Sequence, residues 1–235
     1  MATSTFYKFT SSDASGPGLL AGTAGDLLRV LDACLVTGYS GKAPGWTKPT
    51  ANSGNIGCYK QNGGAGFNLV INDNGPNATS TYKEAWMTGW QTLTDLTAPV
   101  GTGTGQFPTA AQCLTTGHVV CRKSTAASAV GRAWIMFADA TTFYLFIATG
   151  DTAGVYYGVM FGDFYSLYGA GDAYRCMISG RFIENSATGA LGGSTANYEN
   201  MDVMWDTYVT GSSTPSVGTT GTRFSAVVAS PSGTG

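Results

Sequence analysis

The stretch RAWIMFADATTFYLFIATGDTAGVYYGVMFGDFYSLY, residues 132–168, crowds aromatic and aliphatic residues between short Gly, Asp and Thr breaks. Residues 133–138, 143–148 and 155–161 are each of strand length and rich in β-branched, aromatic and large apolar side chains. Turn-forming residues at 139–142 and 149–154 separate them. These are the central hairpins of a β domain. From Phe143 to Ile147 no polar residue recurs at alternate positions, so burial on both faces is expected here. Trp134, Phe143, Leu145, Phe146, Tyr156, Phe161 and Phe164 are the expected assembly core, because a second apolar face needs a second cover.

Outward from this centre the pattern stays mainly β. Residues 5–10, 56–61, 67–73, 82–90, 118–123, 173–178 and 180–184 read as further strands, and Asn62-Gly-Gly-Ala-Gly66 reads as a hairpin turn. Residues 97–108 read as a Gly/Thr/Pro loop, and 109–114 as a short helical turn. One helix is expected over 24–37. Leu27, Val30, Leu31, Cys34 and Leu35 form its apolar stripe, Thr23 to Asp26 resembles a capping box, and Gly38 suits its end. The expected fold is therefore mainly β (α+β): an antiparallel β-sandwich or β-meander with one N-terminal amphipathic helix packed on the sheet. Trp46, in the link that follows, is expected to plug the seam between helix and sheet.

Two regions differ in character. Residues 1–184 form the β-rich core domain. Residues 185–235 form a Ser/Thr/Gly-rich arm with strand-like pieces at 203–209 and 223–229. Such an arm has too little apolar surface to order alone, and packing on a neighbouring subunit is the expected remedy.

Charged residues make up only 11% of the 235, against about 25% in ordinary globular domains. With 12 basic and 14 acidic residues there is no field to hold a nucleic acid or an anionic membrane, so neither is an expected partner. Low charge with many aromatics favours a surface covered by other subunits, hence a homo-oligomer. No basic-then-apolar leader and no segment of about 20 apolar residues is found, so synthesis in the cytoplasm without a signal peptide is expected.

The candidates for chemistry are few. Cys34, Cys58, Cys113, Cys121 and Cys176 form no CxxC pair; they are expected as small apolar core residues, with intersubunit disulfides as the alternative. Cys113, His118 and Cys121 with Cys58 would offer four soft ligands, but in no spacing of a common zinc module, and no metal or other cofactor is expected. Asn72-Asp-Asn-Gly-Pro-Asn77 lacks the downstream acid of a calcium loop and reads as an Asx-rich turn. Cys121 and His118 are three apart on an expected strand, which points them to opposite faces, so a Cys–His nucleophile pair is not expected and neither is an enzyme. Exposed Trp46, Trp86, Trp90 or Trp205 would instead make a stacking platform for the sugar rings of a surface glycan or receptor, the alternative function.

The segments FYKFTSSDASGPGLLAGTAGDLLRVLDACLVTGY (6–39), GWTKP (45–49), GRAWIMFADATTFYLFIATGD (131–151), FGDFYSL (161–167) and GDAYRC (171–176) resemble an uncharacterised group of tailed-bacteriophage virion structural proteins. The resemblance covers roughly residues 5–184. It implies a place in the virion, as part of the head, neck, tail or baseplate, with other virion proteins as partners.

Overall fold

The structure, a computed structural model, describes residues 5–74, 83–110, 117–150, 156–164, 172 and 174–180, with the backbone of 182–183, 198–199 and 226–228. In chain order the elements are β1 (Tyr7–Thr10), α1 (Asp26–Leu31) running into a π-helical stretch (Asp32–Thr37), β2 (Ile56–Lys60), β3 (Asn68–Asn72), β4 (Glu84–Asp95) and β5 (Thr102–Phe107). There follow β6 (Val119–Arg122), β7 (Trp134–Ala138), β8 (Thr142–Ile147), β9 (Tyr157–Asp163), β10 (Cys176–Ser179), β11 (Phe182–Ile183), β12 (Tyr198–Glu199) and β13 (Ala226–Val228). They build an antiparallel β-sandwich. One sheet has the order β1-β7-β8-β9-β10-β13; the other runs β2-β3-β4-β5, with β6 also paired to β4, and β11 with β12 makes a small separate ribbon.

Register explains the interior. Phe9, Met136, Leu145 and Val159 face one another across four strands of the six-stranded sheet, and Ala138, Phe143, Phe161 and Ile178 form the next row. From the second sheet come Tyr59, Leu69, Ile71, Ala85, Met87, Phe107, Val119 and Cys121, and all share a single cluster with the helix residues Leu27, Val30, Leu31, Cys34 and Leu35. The amphipathic stripe thus packs inside the sandwich. Trp46 fills the seam as expected: its ring meets Phe143 and Phe161 edge-on, while its indole N–H donates to the Asp139 carbonyl at 2.7 Å.

Four local expectations are corrected. The central strand β8 is not buried on both faces: Phe143, Leu145 and Ile147 are buried, while Tyr144 and Phe146 are only half-buried. Residues 97–108 are not all loop, because Thr102–Phe107 is strand β5 on the long strand β4. Small residues make that pairing possible: a Cβ on Gly103 would collide with the Thr92 carbonyl, and Gly89 leaves room for the Phe107 ring. The helix is α only to Leu31 and π from Asp32 to Thr37, two windings that share the same apolar stripe. Its N-terminus has no capping box. Gly25 is the N-cap, and the Leu27 N–H is taken by Asp73, 46 residues away, at 2.8 Å.

The arm returns in part to its own chain. Residues 226–228 pair with β10 and close an edge of the six-stranded sheet, whereas 203–209 and the helical turn expected at 109–114 lie largely or wholly outside the described residues.

A clasp joins the two sheets at the β2–β3 turn. Asp163, at the end of β9, accepts from the Gln61 amide (2.8 Å), the Ala65 N–H (2.9 Å) and Arg175 (3.0 Å). This carboxylate ties the hairpin tip to the opposite sheet. Gly64 makes the approach possible, with φ +60° and no space for a Cβ before Asp163. Gly64→Ala is expected to lower stability by about 1–3 kcal/mol. Gly41→Ala, at φ +75° with open space around it, carries the backbone strain alone, and the gap between their denaturant midpoints measures the clasp.

Candidate functional site

The outer face of the six-stranded sheet carries large apolar side chains that the fold leaves partly uncovered among the described residues, although Gly158 and Met160 on it are buried. In register, Lys8, Phe137, Tyr144 and Met160 form one row across it, and Thr10, Ile135, Phe146 and Gly158 the next. Phe137 is 39% exposed, Tyr156 38% and Phe6 48%, and Phe6 leans on Tyr144 with ring centroids 6.3 Å apart. Ile135, Tyr144 and Phe146 are half-buried. A face with this many large rings is uncommon on a surface meant only for water. Lys8 and Thr10 place polar atoms at its β1 edge, as the rim of a protein interface does.

The residues expected as an assembly core divide by face. Trp134, Phe143, Leu145 and Phe161 lie in the interior, each 1% exposed or less. Phe146 and Tyr156 belong to the outer face, and Phe164 is half-buried at the end of β9, its N–H donated to the Arg175 carbonyl. Phe6, Ile135, Phe137 and Tyr144 complete the face without having been singled out in the sequence. The signal that would have found them is β1, where Lys8 and Thr10 alternate with Phe9 and mark the outward positions of its partner β7.

The outer face of the second sheet is closed. Ile56, Cys58, Val70, Trp86, Trp90 and Val120 form a smaller cluster there, capped by Leu96 and Val100 from the loop after β4. That loop is fastened by the Trp90 indole N–H to the Val100 carbonyl (2.8 Å) and the Asn72 amide to the Pro99 carbonyl (3.0 Å). Trp46, Trp86 and Trp90 are therefore buried, at 2%, 8% and 5% exposure, and make no glycan platform; Trp205 lies outside the described residues.

The sole histidine, His118, stacks on Trp86 with centroids 3.7 Å apart and rings within 12° of parallel, and burial pushes its pKa down to about 3. The β4–β6 register puts its face of the sheet opposite to that of Cys121. Cys58 lies with the outer cluster and Cys121 with the interior. Cys34, Cys58, Cys121 and Cys176 are all buried free thiols, the first three pushed up to about 12 by burial, and Cys113 is outside the described residues. A disulfide to a neighbour would need these four to leave the core.

One buried ionic contact has no counterpart in the sequence reading. Asp73, from the Asx-rich segment, and Lys123 lie 2.5 Å apart with both side chains 0% exposed. Burial raises the Asp73 carboxyl to about 6, against the opposing pull of Lys123. On the surface, a shallow groove of about 540 Å³ runs along the helix between Ser15, Arg29, Asp32, Tyr39 and Asn52. Its charged side chains are already engaged, Arg29 with Asp26 and Asp32 with Lys48.

No helix among the described residues is long and apolar enough to cross a membrane. No protein-family model, curated protein or solved structure matches the chain.

Proposed function

We propose that this protein is a structural subunit of a tailed-bacteriophage virion, in the head, neck, tail or baseplate, that assembles with copies of itself and with other virion proteins. The observation that carries the reading is the aromatic outer face of the six-stranded sheet, built from Phe6, Ile135, Phe137, Tyr144, Phe146 and Tyr156. The low charge of the chain and the resemblance of its N-terminal and central segments to virion structural proteins support it. Affinity in such an assembly comes from apolar area repeated over many symmetric copies.

The test is the mass of the full chain in solution, by light scattering after size exclusion. Wild-type protein is expected as a defined oligomer. Phe137→Asp is expected as a folded monomer, because the substituted side chain is partly in water in the free subunit and desolvated only in the assembly. A wild-type monomer, or an oligomer unchanged by Phe137→Asp and Phe146→Asp, would remove this face from assembly.

A further inference from the structure

The contact between Asp73 and Lys123 has the hydrogen-bond inventory of an amide rather than that of an ion pair. Asp73 follows β3 and Lys123 follows β6, strands that flank β4 on opposite sides. Extending the β3–β4 register by one residue sets Asp73 opposite Ala85, a small side chain that two longer ones can reach over. There Lys123 Nζ meets Asp73 Oδ1 at 2.5 Å, and neither side chain touches solvent. Lys123 Nζ also donates to the Thr23 carbonyl at 2.7 Å, and Asp73 Oδ2 accepts the Leu27 N–H at 2.8 Å. An ammonium has three N–H donors and a carboxylate about four acceptor sites. Among the described residues only two of those donors find acceptors, and Oδ1 has no partner but the amine. Buried ions left so poorly solvated are expensive. A secondary amide in the same place needs one acceptor for its N–H and one donor for its carbonyl. Thr23 and Leu27 already supply both.

We propose that Asp73 and Lys123 are a self-modifying pair, joined in the folded protein by an isopeptide bond between Nζ and Cγ. One ammonium proton passes to Oδ1, leaving a neutral amine beside a neutral acid. The Nζ lone pair attacks Cγ, and the developing oxyanion on Oδ2 is held by the Leu27 N–H at the first turn of α1. A second proton moves from nitrogen to Oδ1, the Cγ–Oδ1 bond breaks with its electron pair, and water departs. The carbonyl re-forms at Oδ2, and the remaining N–H stays on the Thr23 carbonyl. Ammonium plus carboxylate becomes amide plus water, so charge and atoms balance and no oxidant or activating group is required. Enforced contact in a dry site supplies the rate that free side chains lack. The product staples the ends of β3 and β6 beneath the helix N-terminus in a protein whose four described cysteines are free thiols.

Mass spectrometry of the denatured, full-length protein decides it. Wild type is expected to be lighter than its sequence by one water, and Lys123→Arg to show no deficit against its own sequence. Tryptic digestion of wild type is expected to yield one branched peptide joining 61–83 to 123–132, and fragmentation should place the link at Asp73 and Lys123. Full sequence mass with separate, unmodified peptides in protein that is folded before denaturation overturns the proposal. So does a lost water that maps elsewhere. The decisive reading is made on wild type, so it stands even if Lys123→Arg folds poorly.

Discussion

Trp46→Ala is expected to lower the stability of the protein by about 3–5 kcal/mol, read as a fall in the denaturant midpoint at unchanged slope. That is a large share of the roughly 5–15 kcal/mol a domain has. Trp46 is 2% exposed and stands where three parts of the fold meet. Its backbone N–H takes the Leu35 carbonyl in the π-helical stretch, the next residue, Thr47, pairs with Lys60 beside β2, and its ring lies on Phe143 and Phe161 of the other sheet. Truncation opens a cavity at this junction and leaves the Asp139 carbonyl without the indole donor. Trp46→Phe keeps an aromatic ring but removes the N–H together with part of the indole, so a smaller loss is expected, about 1 kcal/mol of it from the missing hydrogen bond and the rest from the reduced ring volume. A midpoint unmoved by Trp46→Ala would show that the helix and the two sheets are not joined through this side chain.

Acid is expected to destabilise the protein through His118. The folded-state pKa is about 3 and the ordinary value 6.5, so below pH 6.5 the unfolded chain takes up a proton that the folded chain refuses. Stability from this group is fully present above 6.5, falls as pH drops toward 3, and changes no further below that. The slope is about 1.4 kcal/mol per pH unit, so by pH 5 the loss is about 2 kcal/mol. The cause is burial, His118 lying against Trp86 in the closed outer cluster of the second sheet. His118→Phe retains an aromatic ring on Trp86 and has nothing to titrate. Its unfolding midpoint is expected to change less between pH 7 and pH 5 than that of wild type, whatever the other carboxylates contribute to both. Parallel pH profiles would place the histidine in a wetter site than the stack implies.

Much of the architecture follows from the order of residues alone. Strand-length apolar runs separated by Gly, Asp and Asn turns suffice for the antiparallel hairpins, and the spacing of Leu27, Val30, Leu31, Cys34 and Leu35 suffices for the helix, because periods of two and 3.6 are written in the chain itself. Strand β5 escaped because its Gly and Thr residues have low strand propensity; its place depends on fitting beside β4, a packing condition that no local window contains. The two faces of β7 and β8 are equally apolar in sequence, so alternation carries no contrast there. Only pairing with β1, and closure of the second sheet over one side, decides that Trp134 and Leu145 are core while Phe137 and Phe146 face outward. The same holds for the most unusual chemistry in the molecule. Asp73 sits in an Asx-rich turn and Lys123 at a strand end, 50 residues apart and each ordinary by itself. Composition and periodicity determine which segments become strands and helix; which side chains meet in the dry interior depends on register and on the crossing of chain ends, and these exist only after the sheets have closed.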